Sequence, residues 1–167
     1  LGPPDSDAQN VTVNFVDYVK NVASSEIYPT WEEAALRANI LAIVSFALNR
    51  VYTEFYRSRG YDFDITNSTA YDQSFVNGRD VFENISAIVD DIFNDYIVRD
   101  GSVEPLFATY CDGDKVLCEG LSQWGSVDLA NSGLGPFQIL ENYYGNNISL
   151  VNDAPIRGNI ESYPGRL

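Results

Sequence analysis

Ser24-Ser25-Glu26-Ile27-Tyr28-Pro29-Thr30-Trp31-Glu32-Glu33-Ala34-Ala35-Leu36-Arg37-Ala38-Asn39-Ile40-Leu41-Ala42-Ile43-Val44-Ser45-Phe46-Ala47-Leu48 is the stretch that decides the fold. From Ala34 to Leu48 apolar residues fall on nearly every side of a helix, and a helix of that kind is stable only when enclosed by other elements. The pattern predicts a helix from Trp31 to about Arg57 at the centre of the domain, amphipathic in its last turns. Arg37, Asn39 and Ser45 interrupt the run, which is too short and too polar to span a bilayer, so a soluble protein is expected. Thr30-Trp31-Glu32-Glu33 reads as a capping box, with the Thr30 hydroxyl on a free N–H and Glu33 reaching back.

Immediately upstream, Pro29 stiffens the bend and holds Glu26 at a fixed junction between helices. Glu26 is a lone carboxylate among Ala23, Ile27, Tyr28 and Trp31, where desolvation disfavours the charged form and raises the pKa toward that of a general acid. It is the leading catalytic candidate. Further back, Val11, Val13 and Phe15 alternate with polar residues as a short strand does, and Asp17 to Ser25 has helical spacing at Val19, Val22 and Ala23. Residues 1–10 read as a poorly ordered lead-in. With no initiator Met and no basic-then-apolar leader, the start suggests a piece of something longer.

Composition narrows the chemistry. The 167 residues are 45% hydrophobic and 13% aromatic, enough for one domain with a real core. Lys and Arg total 10 against 24 Asp and Glu, and a net charge of -14 repels phosphate backbones and anionic lipid, so neither nucleic acid nor membrane is expected as a partner. Histidine is absent, which removes Ser-His-Asp and Cys-His nucleophile systems and the commonest metal ligand. Carboxylate chemistry is what this composition leaves.

Downstream of the central helix, 60–78 has no helical period and collects Asp, Asn, Ser and Thr; a loop of that length inside a domain is usually functional. Val81, Phe82, Ile85, Ile88, Val89, Ile92 and Tyr96 predict an amphipathic helix ending at Gly101, with Asp90 and Asp91 on its wet face. Pro105 to Tyr110 reads as a strand, and Asp112-Gly113-Asp114-Lys115 as a turn into a hairpin over Val116 to Cys118. Helices are expected at Ser126–Ser132 and Pro136–Tyr144, and a strand at Ile148–Val151. From Asn152 to the end the pattern fades into Pro and Gly, a linker composition pointing toward a following domain. The fold class is α+β, mainly helical, with the domain over 11–151.

Three separated segments resemble one family. Tyr18-Val19-Lys20-Asn21-Val22-Ala23-Ser24-Ser25-Glu26-Ile27-Tyr28-Pro29-Thr30-Trp31, followed by Glu33 to Ala38, is similar to the catalytic Glu segment and long helix of the stage II sporulation protein D and amidase-enhancer group of cell-wall proteins. Asp64-Ile65-Thr66-Asn67-Ser68-Thr69, with Gln73, Phe75 and Gly78, and Gly120-Leu121-Ser122-Gln123-Trp124-Gly125, running on to Gly145, resemble its other segments in the same order. The large insertion of longer members is missing here, the His that usually precedes the Gly-Leu-Ser-Gln-Trp-Gly motif is absent, and Val44 stands where many members have Arg. In this shortened form the chain looks most like the catalytic domain of clostridial germination-specific spore-cortex-lytic enzymes, in which a peptidoglycan-binding domain follows.

The resemblance implies a lytic transglycosylase acting on spore-cortex glycan strands, outside the cytoplasm of a spore-forming bacterium. It also implies an activating protease for a precursor; the working expectation is a monomer without a cofactor. Glycosidic cleavage normally takes two carboxylates. A transglycosylase manages with one, because the muramic sugar's own C6 hydroxyl is the nucleophile. On that basis Glu26 is both acid and base, while Ser122, Gln123, Thr66, Thr69, Gln73, Tyr28 and Trp124 are expected to bind substrate. The alternative is a non-catalytic glycan-binding or amidase-enhancing module of the same fold. Cys111 and Cys118 are open to three readings: a disulfide, free thiols, or a weak zinc site short of the four ligands a structural zinc needs.

Overall fold

The computed structural model describes residues 9–164. Most of the lead-in expected at 1–10 lies outside the described residues. In chain order the elements are β1 (Val11–Asn14), α1 (Phe15–Glu26), α2 (Glu33–Tyr52), β2 (Ile65–Thr66), α3 (Glu83–Ile92), β3 (Tyr96–Arg99), β4 (Tyr110–Cys111), β5 (Leu121–Ser122), α4 (Gln123–Asn131), α5 (Pro136–Tyr144), β6 (Ile148–Val151) and β7 (Asn159–Tyr163). The fold is α+β and mainly helical.

Everything packs around α2. Ala35, Ala38, Ile40, Ala42, Ile43, Val44 and Ala47 are all fully enclosed, and α1, α3, α4 and α5 each lie against this one helix. The stretch Glu33–Arg59 is long and apolar enough to cross a bilayer by composition, yet 78% of its apolar window is buried inside the domain. Its buried polar interruptions are bonded in place, except that Asn39 Oδ1 has no partner among the described residues. Asn39 Nδ2 donates to Ala35 O and Ser126 Oγ, both at 2.8 Å, and Ser45 Oγ donates to Leu41 O at 2.7 Å while accepting from Ile97 N–H at 2.9 Å.

Both ends of α2 differ from the sequence expectation. The helix starts at Glu33, with Glu32 as N-cap and no side-chain cap bond, so the Thr30 capping box does not form. Trp31 is drawn out of the helix to pack on Tyr28 and Trp124, with ring centroids at 5.6 and 5.0 Å, and its N–H closes a turn on Tyr28 O instead. At the other end the helix stops at Tyr52 rather than near Arg57. The chain turns back through Glu54, at φ 50°, placing Phe55 under the Arg50 guanidinium at 3.8 Å and the Tyr56 hydroxyl on Asp72 at 2.5 Å.

Small sheets tie the periphery together. β7 is the middle strand of a three-stranded sheet, antiparallel to β1 (Val11↔Ser162) and parallel to β2 (Ile65↔Ser162). The linker expected from Asn152 onward is therefore structured over Asn159–Tyr163; Ile160 packs into the core, and pairing across the chain supplies the order that local composition does not signal. β3 pairs antiparallel with β6, which is why the α3 pattern ends at Ile92 and Tyr96 begins a strand. The expected Val116–Cys118 hairpin is absent among the described residues. β4 pairs parallel with β5 instead, Tyr110 opposite Leu121 and Cys111 opposite Ser122.

Candidate active site

Glu26 is the last residue of α1, a helix started by Asn14 Oδ1 accepting from Val16 N–H at 3.0 Å and ended by the extended Ile27 ahead of Pro29. Residues 67–78 cross over this helix and are strapped to it. Asn21 Nδ2 donates to Val76 O at 2.7 Å and Asn21 Oδ1 accepts from Val76 N–H at 2.9 Å; Gln73 Oε1 accepts from the Tyr18 hydroxyl at 2.8 Å and its Nε2 donates to Ile43 O at 3.0 Å. The straps hold Ser74 N–H against Glu26 Oε1 at 3.0 Å. From the opposite side, β4 brings the Tyr110 hydroxyl to the same oxygen, also at 3.0 Å. Among the described residues no donor reaches Oε2.

The carboxyl is partly open to a cleft of about 440 Å³, while its flanks are packed protein. Desolvation there raises its pKa from 4.5 to about 7, against the opposing pull of the Tyr110 and Ser74 hydrogen bonds, which favour the charged form. With Oε1 engaged by two donors, Oε2 is the oxygen left to carry a proton. Near neutral pH the group is divided between acid and base forms, the condition a residue needs to give a proton in one step and take one in the next. Tyr110 is itself pushed well above the ordinary phenol range by burial and by Glu26, so it stays a hydrogen-bond donor. Tyr110→Phe removes a bond that favours the carboxylate. The expected result is about a tenfold lower rate and an alkaline limb displaced to higher pH, read from a pH–rate profile.

Across the cleft, Gln123 is 7% exposed and its amide makes no hydrogen bond among the described residues, leaving it free for a ligand in the cleft. Thr69 also lines this space, from an exposed position on the loop. Other expected binding residues are turned inward. Thr66 is fully enclosed, its N–H and hydroxyl both on Asp72 Oδ2 at 3.0 and 2.7 Å, and Gln73 is equally enclosed between Tyr18 and Ile43. Ser122 caps α4 by accepting from Gly125 N–H at 3.0 Å. The glycines of this motif serve close packing rather than flexibility. A Cβ at Gly120 would lie 1.9 Å from Thr109 O, and one at Gly125 would lie 2.1 Å from the Tyr143 hydroxyl.

Tyr28 and Trp124 remain outside the core, 56% and 43% exposed, and with Trp31 form a mutually packed aromatic group. The Trp124 backbone N–H donates to Asp112 O at 3.0 Å, which ties the chain carrying this group to the cleft wall. That wall is closed by a disulfide between Cys111 and Cys118, whose Cα atoms are 6.1 Å apart. The cysteines therefore offer no thiolate, the chain has no histidine, and no group of three metal-binding side chains occurs among the described residues; a four-ligand structural zinc does not fit this donor set. Asp112, on the same wall, holds its carboxyl below the usual range because Oδ1 accepts backbone N–H groups of Val116 at 2.9 Å and Asp114 at 3.1 Å.

Sequence reasoning missed Tyr110, Ser74 and Asp112. Asp112 sits in an Asp-Gly turn, a signal that was legible as a turn but not as a cleft wall. No curated protein and no solved structure matches the chain. The family model of the stage II sporulation protein SpoIID matches residues 6–92, just over half of the 167, taking in α1, the Glu26 junction, α2 and the strapped loop. The chain therefore belongs to the stage II sporulation protein family, and its role is a sporulation-related one in the cell wall.

Proposed function

We propose that the domain is a lytic transglycosylase that cuts peptidoglycan glycan strands, with Glu26 as its acid and base. The observation that carries this reading is a protonatable carboxyl, at about 7, placed at a cleft with one oxygen fixed by two donors. The proton on Oε2 passes to the glycosidic oxygen as the bond from C1 to that oxygen breaks. The resulting carboxylate takes the proton of the C6 hydroxyl as O6 bonds to C1. The product is a 1,6-anhydromuramic end, no water is consumed, and Glu26 is returned to its protonated form. A non-catalytic module has no need to hold a carboxyl at this cost. The Cys111–Cys118 disulfide supports action outside the cytosol, and the spore cortex is the substrate this reading favours.

Asp112 supports a second reading. Two carboxyls in one cleft, one raised and one lowered, are what an ordinary glycoside hydrolase uses. Mass spectrometry of digested cortex separates the possibilities. Anhydromuramic ends are expected; reducing ends that incorporate solvent oxygen would place the chemistry with Glu26 and Asp112 together, and no new ends at all would leave the binding module.

A further inference from the structure

A second cavity, of about 400 Å³, lies between the start of α2 and the exposed side of α3, away from Glu26. It falls within the size range of ordinary small-ligand sites. Trp31 lines it, and the same Trp31 packs on Tyr28 and Trp124; Trp124 follows Gln123, which lines the Glu26 cleft, and its backbone N–H is bonded to Asp112 of that cleft's wall. The aromatic group thus joins the groove to the residues of the Glu26 cleft wall, with two of its rings substantially open to solvent. We propose that the α2–α3 groove is a second saccharide subsite, and that one glycan strand runs from the Glu26 cleft across the Tyr28–Trp31–Trp124 ridge into it. The proposal rests on the glycan reading above and adds the length of strand that the domain holds.

The chemistry of the groove selects the occupant. Among the described residues Arg37 is its only cation, and it is already matched by Asp91 at 2.7 Å and Glu33 at 3.7 Å, leaving the local charge negative. Phosphates and carboxylates are therefore disfavoured. Asn84 donates through Nδ2 to Pro29 O at 2.8 Å, which fixes its amide and leaves Oδ1 as an acceptor. Planar polar groups already locked by their neighbours, beside an apolar floor at Leu36 and Ile88 and an aromatic face at Trp31, suit an uncharged ring with hydroxyls on its rim and C–H groups on its face. A peptide strand would need an open sheet edge or a deep apolar groove, and neither is formed by these residues.

The test measures binding of purified glycan strands of graded length, with their muramic carboxyls amidated or closed as lactams so that the rings are uncharged, to the Glu26→Gln protein, which binds without cutting. Affinity is expected to rise about tenfold between strands that fill the cleft alone and strands that reach the groove. Ala87→Trp, which fills the groove from an exposed position on α3, is expected to reduce that long-to-short ratio to about one, with thermal melting reporting that the fold is kept. Asn84→Ala, with no added bulk, should lower the same ratio. A ratio unchanged in both variants, or no dependence on length in the parent, overturns the subsite while leaving the glycan reading standing. No binding of any strand overturns the glycan reading and the subsite with it.

Discussion

Glu26→Gln is expected to abolish glycan cleavage, by at least about a hundredfold, while making the protein more stable above neutral pH. The amide keeps a carbonyl oxygen to accept from Ser74 N–H and Tyr110, so the cleft keeps its shape, but the transferable proton is gone. The stability effect has a definite sign. Below pH 4.5 the folded and unfolded chains both carry the proton, and Glu26 costs nothing. Between 4.5 and about 7 the unfolded chain ionises first, so the wild-type fold loses stability as pH rises, and above about 7 the full penalty applies. From that shift the penalty is at most about 3 kcal/mol. Urea denaturation of the two proteins should show a gap that opens between pH 4 and pH 8. Curves that coincide at pH 8 would mean that the fold does not raise the carboxyl's pKa. Wild-type activity should fall as pH rises through the same range.

The other large effect is structural. Asp72 is enclosed, its Oδ1 on Arg50 Nε at 2.7 Å and its Oδ2 on Tyr56, Thr66 N–H and the Thr66 hydroxyl. Arg50 is sandwiched by rings, with its guanidinium 3.8 Å from the Phe55 centroid and 4.9 Å from that of Phe107. Asp72→Leu leaves that cation buried without its counter-charge, which costs about 3–5 kcal/mol. A domain of this kind has a total of about 5–15 kcal/mol, so the urea midpoint at neutral pH should drop by a large fraction. Arg50→Met combined with Asp72→Leu should recover part of the loss but not all, because the Tyr56 and Thr66 donors stay unpaired. A single variant as stable as the parent would show that the pair contributes little to holding the 67–78 loop.

The sequence is informative where the deciding interactions are local. An all-round apolar run can only be a buried helix, Pro136 and Gly145 bracket α5, and a carboxylate set among Ala23, Ile27, Tyr28 and Trp31 announces its own desolvation. It is silent where the partner is distant. Tyr110 is 84 positions from Glu26, and nothing around it signals that its hydroxyl ends on a carboxyl. The same holds for β7, whose Pro- and Gly-rich approach looks like linker until it meets β1 and β2. Thr66, Gln73 and Ser122 carry the polar chemistry of sugar contacts, but the interior also needs hydroxyls and amides to satisfy its own backbone and carboxylates, and composition does not distinguish the two uses.

The central place of β7 in its sheet sets an order of events during synthesis. β1 and β2 do not pair with one another; each bonds to β7, so both wait for residues 159–163 to emerge from the ribosome. The helices around α2 can collect earlier, but the strand leading directly into α1, and through it Glu26, is fastened only once residues 159–163 are made. The sheet that anchors the start of α1 is thus completed only after every residue lining the Glu26 cleft has been made.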